Sequence, residues 1–229
     1  MMPLVLIPGM MCDARMWGGL PASLSPREVC HALPIGADSV EALAAAVLKD
    51  VPPRFALAGV SMGGIVAMEV LRQAPERITH LALLDTNPLA EAPEAKARRL
   101  PQMDKVQAGG LADVMREEMK PNYIGPGPRR AAILDLCMDM ALTLGPAIFL
   151  RQSRALSNRP DQQNTLAAFK GPALVLMGEN DLLCPRPRHD LMHQLMPQSR
   201  LVIIKFAAHL PTLEQPSQTI EALRGLLEE

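Results

Sequence analysis

Six short apolar runs punctuate the chain, at residues 4–7, 29–33, 55–60, 81–84, 173–177 and 201–205. Each has the length of a central strand. Most lack alternating polar positions, which is the pattern of strands covered on both faces of a parallel sheet. Helical patterns fill the gaps. Ser39 is placed to cap a helix over residues 40–49. Residues 62–73 continue directly from an apolar run and stop before Pro75, and residues 191–195 and 220–227 form shorter helical patterns. The alternation predicts an α/β fold: a mostly parallel sheet of about six strands with helices on both faces.

One segment interrupts the alternation. Residues 91–169 contain no strand pattern, only helical stretches at 111–119, 129–142, 146–156 and 162–169. Gly109-Gly110, Pro121-Asn122 and Gly125-Pro126-Gly127-Pro128 separate them as turns. The expected organisation is a core of residues 1–90 and 170–229 carrying a helical cap insertion at 91–169. The insertion holds Met103, Met115, Met119, Met138 and Met140. These adaptable side chains are expected in the helix core, with some lining an apolar pocket.

Composition narrows the function classes. The chain has 229 residues, 48% of them hydrophobic and 21% charged, which is the balance of a folded globular protein. Lys plus Arg total 23 against 24 Asp plus Glu, a formal charge of −1. No basic excess is available to attract nucleic acid or an anionic membrane. Aromatics make up only 3%, which argues against base-stacking platforms. Cys12, Cys30, Cys137 and Cys184 form no C-x-x-C pair and no zinc spacing, so they are expected to be reduced. No apolar stretch reaches the ~18 residues of a membrane span. The first run lacks a basic n-region and is cut by Pro8-Gly9, unlike a signal peptide. The cytoplasm is the expected location.

Chemistry enters at Gly59-Val60-Ser61-Met62-Gly63. This is G-x-S-x-G between a strand and a helix. A chance match in a chain this long has a probability of roughly 8%, so the flanking strand and helix carry most of the weight. A turn this sharp leaves no room for Cβ atoms beside the serine. Ser61 would open a helix with its hydroxyl exposed, and the Met62 amide would face a developing oxyanion. A serine hydroxyl needs an adjacent base to act as a nucleophile.

Partners are expected on loops after later strands. Asp181 follows the run at 173–177, where α/β sheets place their chemistry. Asp85 ends the run at 81–84 on the same rim, but order and loop context favour Asp181. Of the five histidines, His31 and His80 come beside or inside early strand patterns. His189 and His193 lie four apart on a helical pattern and are expected on its surface. His209 follows the last run and precedes Leu210-Pro211. The order Ser61, Asp181, His209 fits a hydroxyl activated by an imidazole that a carboxylate orients.

With these residues in view, nearly the whole chain resembles the α/β-hydrolase superfamily. Residues 3–10 resemble its first retained strand and oxyanion loop, ahead of Trp17. Residues 59–63 resemble the nucleophile elbow. Gly178-Glu179-Asn180-Asp181 with Pro185 resembles the acid loop, and Ala208-His209-Leu210-Pro211 with Glu214 and Pro216 the histidine loop. The likeness is greatest to small capped esterases and lactonases, such as 3-oxoadipate enol-lactonases and pimeloyl-carrier methyl esterases. Two departures are Pro8-Gly9 where His-Gly is frequent, and Ala208 where Gly is frequent. The family's first two strands have no counterpart, which implies an N-terminally shortened sheet with an exposed edge.

The resemblance implies hydrolysis of a small, partly apolar carboxylic ester, thioester or lactone through an acyl-enzyme on Ser61. The backbone amides of Met10 and Met62 would hold the oxyanion, with neither metal nor organic cofactor. Acyl transfer, and carbon–carbon hydrolysis or lyase chemistry, are alternatives with the same three residues. A slow or non-catalytic ligand-binding protein is the alternative of another class. Cys12-Asp13-Ala14-Arg15 is expected to form a loop ion pair rather than touch substrate. Arg129, Arg130, Arg151 and Arg154 are expected mainly on a solvated helix face, with one available to a substrate carboxylate.

Overall fold

The computed structural model describes residues 1–228. Its strands are β1 (Leu4–Ile7), β2 (Val29–His31), β3 (Phe55–Val60), β4 (Ile78–Leu84), β5 (Ala173–Gly178) and β6 (Arg200–Ile204). Among the described residues they form one six-stranded sheet in the order β2-β1-β3-β4-β5-β6, with every pairing parallel. Every residue of β1, β3 and β5 is buried, as the unbroken apolar runs predicted.

The helices are α1 (Leu20–Ser23), α2 (Val40–Asp50), α3 (Met62–Gln73), α4 (Pro93–Gln107), α5 (Leu111–Asp113), α6 (Arg130–Leu144), α7 (Pro146–Ser157), α8 (Gln163–Ala168), α9 (Arg186–Leu195), α10 (Pro211–Glu214) and α11 (Pro216–Leu227). Helices cover both faces of the sheet. α3 lies against β1, β3 and β4, α9 against β5 and β6, and α11 against β4, β5 and β6. Ser39 caps α2 by accepting from the Ala42 amide at 3.2 Å. Helices α4–α8 all fall between β4 and β5.

The topology decides where chemistry can sit. The chain leaves β1, adds β2 at one edge, then crosses back to place β3 on the other side of β1. Later strands add beyond β3, so the direction of growth reverses between β1 and β3. Loops leaving those neighbours diverge and open a crevice at the carboxyl ends of the strands. Ile7 is in register with Gly59, so the segments at Pro8–Met10 and Ser61–Met62 start at the same height on that rim.

Several boundaries differ from the sequence expectation. α4 is a 15-residue helix that the apolar pattern misses, because Val106 alone on it is fully buried. Its signal lay in propensity: Ala, Glu, Lys and Arg dominate it, and Pro93 opens it. α9 and α11 likewise start earlier than expected, each with proline in its first turn. Residues 111–119 are not one α-helix; α5 widens into a π turn over Val114–Met119.

His189 is a correction. It lies on α9 but is fully buried rather than exposed, and neither ring nitrogen has a hydrogen-bond partner among the described residues. His193 is half-buried, with Nδ1 2.9 Å from Ser199 Oγ. Burial pushes the His189 pKa down from 6.5 to about 4. An unfolded chain takes up a proton near the ordinary value of 6.5, which the folded chain resists until about pH 4. Stability from this residue is therefore complete above pH 6.5 and lost as pH falls toward 4. Urea unfolding at pH 7 and pH 4.5 will show wild type losing on the order of 2–3 kcal/mol more than His189→Leu across that interval.

Candidate active site

Ser61 sits where β3 turns into α3. Its backbone has φ 54° and ψ −118°, a conformation unfavourable for a residue with a side chain. Local contacts hold it there. The Ser61 amide donates to the Leu84 carbonyl at 2.9 Å, and Thr86 Oγ1 donates to the Ser61 carbonyl at 2.7 Å. The flanking glycines are required by space. A Cβ on Gly59 would lie 2.3 Å from the Gly63 carbonyl oxygen, and one on Gly63 would lie 2.0 Å from the Ile7 carbonyl oxygen. The turn thus presses α3 against β1 and leaves the serine side chain half-exposed at the rim.

The structure brings Ser61, His209 and Asp181 together. Ser61 Oγ lies 2.9 Å from His209 Nε2, and His209 Nδ1 lies 2.9 Å from Asp181 Oδ2. His209 follows β6 and Asp181 follows β5, so two strand ends converge on the hydroxyl. Asp181 Oδ1 also accepts from the amides of Leu183 at 2.8 Å and Cys184 at 3.1 Å. Burial would raise the Asp181 pKa, but His209 and these two amides outweigh it and hold the carboxyl below its ordinary value. An ionised Asp181 only accepts, so Nδ1 must donate, and neutral imidazole then offers Nε2 as acceptor to the Ser61 hydroxyl.

Asp85, the rival acid, lies behind this array. It is fully buried, with Oδ1 accepting from the Gly178 amide at 2.8 Å and Oδ2 unpaired among the described residues. Burial first, then the neighbouring Asp181 charge, push its pKa well above the ordinary value. It does not reach His209.

The histidine loop is fixed from both sides. Glu214 Oε1 accepts from the amides of Ala208 at 2.9 Å and Leu210 at 3.1 Å, and its Oε2 accepts from Gly125 at 3.2 Å. The His209 amide donates to the Tyr123 carbonyl at 3.0 Å. Tyr123 and Gly125 belong to the segment between β4 and β5. That segment therefore braces His209 as well as lying over the rim.

On the other side of the crevice, Met11 adopts φ 54° and its amide donates to Gln152 Oε1 at 2.9 Å. Gln152 lies fully buried on α7, and its Nε2 donates to the Pro34 carbonyl at 3.0 Å. This clamp sets the loop that carries Met10. The Met10 and Met62 amides donate to no acceptor among the described residues, and both residues line the cleft beside Ser61. Two free N–H groups beside a hydroxyl suit a developing oxyanion.

Comparison with known proteins agrees with this architecture. The model of the alpha/beta hydrolase family matches residues 4–222. The chain belongs to the alpha/beta hydrolase family. It is 26% identical over 243 residues to the pimeloyl-[acyl-carrier protein] methyl ester esterase of Klebsiella pneumoniae, covering 97% of this chain and 92% of that protein. The Nitrosomonas europaea protein of the same name is 26% identical, with 97% and 94% covered. Among solved structures, a thermophilic esterase from Thermogutta terrifontis, determined with malate bound, superposes with TM-score 0.90 at 29% identity, covering 100% of this chain and 90% of that one. The enol-lactonase of Burkholderia xenovorans gives TM-score 0.87 at 21% identity, with 100% and 91% covered, and shares the fold. The protein is an enzyme of the hydrolase type, related to esterases.

In this hydrolase the crevice opens into a cleft of about 630 Å³. Met10, Met16, Met62, Ile65, Met119 and Leu156 supply apolar lining. Met119 is thus the insertion methionine at the cleft; Met115 and Met140 are buried in the core, and Met103 and Met138 pack against it. Arg129, Arg130, Arg151 and Arg154 do not line the cleft. Arg129 and Arg130 donate instead to the carbonyls of Glu214 and Ile124, and Arg151 to that of Ile35. Arg15 pairs with Asp13 and Asp139, as a loop ion pair should, while Cys12 lines the cleft.

Asp181, Cys184 and His209 each place one possible metal-ligand atom within 4.8 Å of the others. The Asp181 and His209 atoms already pair with each other, and burial with the charges of Asp181 and Asp85 pushes the Cys184 thiol well up, away from thiolate. Among the described residues all four cysteines are free, and no single helix is long and apolar enough to cross a membrane.

Gln152 had no signature in the sequence. Gln152→Leu removes its bonds to the Met11 amide and the Pro34 carbonyl while keeping an apolar fill. The expected result is a kcat for p-nitrophenyl butyrate lower by about tenfold with KM within about twofold, read from initial-rate kinetics.

Proposed function

We propose that the protein is a serine hydrolase that cleaves a small carboxylic ester, thioester or lactone through an acyl-enzyme on Ser61. The observation that carries this reading is the unbroken hydrogen-bond chain from Ser61 through His209 to Asp181, both links 2.9 Å, at the foot of a cleft. The cleft volume falls within the range of small-molecule sites.

In the proposed cycle, Ser61 Oγ attacks the acyl carbon while its proton passes to His209 Nε2. The carbonyl oxygen takes up negative charge opposite the Met10 and Met62 amides. Asp181 stabilises the imidazolium that forms. The tetrahedral adduct collapses and His209 returns the proton to the leaving alcohol, thiol or lactone oxygen. Water then enters, His209 takes its proton, and a second tetrahedral adduct releases the acid and restores Ser61. No metal or organic cofactor enters these steps. The free thiols suit a reducing compartment, and the cytoplasm is the location we propose.

Ser61→Ala should lower kcat/KM for p-nitrophenyl butyrate by on the order of 10⁴-fold or more without changing the unfolding transition. A fluorophosphonate should label wild type at Ser61, with labelling lost in His209→Ala. Turnover retained in Ser61→Ala, or a label on another residue, would remove the proposed nucleophile.

A further inference from the structure

The cleft holds more positive charge than its surroundings explain. Arg98, Arg99, Arg159 and Arg188 line it, with Glu91 and Glu118 as the acids opposite them. Four guanidiniums against two carboxylates leave a formal surplus of two positive charges, in a chain whose net charge is −1. The excess is therefore local to the site.

The pairing within the cleft deepens the imbalance. Glu91 is shared: Oε1 accepts from Arg99 Nε at 2.9 Å, and Oε2 forms an ion pair with Arg159 Nη2 at 2.9 Å. One carboxylate between two guanidiniums neutralises only one. All three side chains are largely removed from water, at 3% exposure for Glu91, 19% for Arg99 and 11% for Arg159. Arg159 Nε is buried with no acceptor among the described residues. Glu118 does not relieve the excess, because Lys105 Nζ and Gln102 Nε2 bind it, each at 3.1 Å. Arg188 rises from α9, half-buried on the same cleft, and has no ion-pair partner among the described residues. Arg99 and Arg188 are both near enough to make the Arg159 charge less favourable.

The Glu91 clamp has a structural use, since it ties α4 to the segment after α7. It does not explain Arg188, a half-buried and unpaired guanidinium facing the same space, whereas Arg98, also unpaired among the described residues, is exposed to water. Removing charge from water without a counterion is costly. A planar guanidinium with spare N–H donors matches the two oxygens of a carboxylate. In a cleft partly cleared of water, that pairing is stronger than on an open surface.

We propose that the cleft selects substrates bearing a second, free carboxylate, held by Arg188 with Arg159, while the ester lies at Ser61. This rests on the serine-hydrolase reading and narrows its substrate class to half-esters of dicarboxylic acids or esters of hydroxy acids. Both offer the same anion, from the acyl or the alcohol side.

Binding to Ser61→Ala, followed by titration calorimetry, tests the idea apart from turnover. Monomethyl adipate carries the anion on the acyl side and O-butyrylglycolate carries it on the alcohol side. Dimethyl adipate is the neutral control. At least one of the anionic esters should bind about tenfold more tightly than dimethyl adipate, and the better one names the side. Arg188→Gln in the same background should abolish most of that preference. Arg54→Gln, exposed at the opposite end of β3, should retain it and so exclude a net-charge effect. Equal binding of charged and neutral esters, or a preference surviving Arg188→Gln, would overturn the proposal whether or not wild type hydrolyses esters. A wild type that hydrolyses only neutral esters would overturn it and leave the hydrolase reading standing. A wild type that binds the anions by Arg188 yet cleaves no ester would support the anion site and overturn the hydrolase reading.

Discussion

At Ser61 the backbone adopts φ 54° and ψ −118°, and the rest of the site depends on that strained turn. Such a conformation costs on the order of 1–3 kcal/mol in a residue with a Cβ. It persists because β1, β3, β4 and α3 over-determine it. Gly63 can lie against the Ile7 carbonyl only without a side chain, and that contact fixes how close α3 comes to β1. The Leu84 carbonyl and Thr86 hydroxyl pin the Ser61 peptide from the β4 side. The first amide of α3, at Met62, is thereby delivered beside the hydroxyl with no competing acceptor. The proposed nucleophile and the proposed oxyanion donor are consequences of one turn, so a change that relaxes the turn disturbs both.

The segment between β4 and β5 does more than cover this rim. It supplies Gln152, which fixes the left-handed Met11 on the β1 side, and the Tyr123 carbonyl and Gly125 amide, which brace the histidine loop on the β6 side. It also supplies Glu91, Arg99 and Arg159. The two flanks of Ser61 are thus positioned by side chains and peptides more than 80 residues away in the chain. Packing of the insertion and geometry of the site form one mechanical system. Surface loops that merely closed over a finished site would lack these buried hydrogen bonds.

The legible parts of the sequence were those dictated by local rules. β3 and α3 match their expected limits because an unbroken apolar run meets a glycine-flanked turn and then an apolar helix. Ser61, Asp181 and His209 were readable because each follows a strand on the same rim, and strand order is a local pattern repeated. Gln152, Glu214 and the arginines of the cleft act through contacts set by how the insertion folds back, which no local pattern encodes. α4 escaped because its helix rests on propensity and on few buried contacts. His189 misled because four-residue spacing marks a helix but not which side of it meets the sheet.

Charge in the buried site obeys a simple constraint. Asp85 and Asp181 are neighbours in a region removed from water, and two adjacent carboxylates resist ionising together. The donors decide which one carries the charge. Asp181 has His209 and two backbone amides, whereas Asp85 has one amide and an unpaired oxygen. These donors favour ionisation of Asp181 over Asp85, and so place negative charge where it orients the imidazole. Asp181 is the carboxylate that pairs with His209, while the Gly178 amide ties Asp85, at the end of β4, to β5. The same reasoning applied at the cleft mouth gives the opposite result. There the cations outnumber their anions, which is the imbalance behind the proposed carboxylate selectivity.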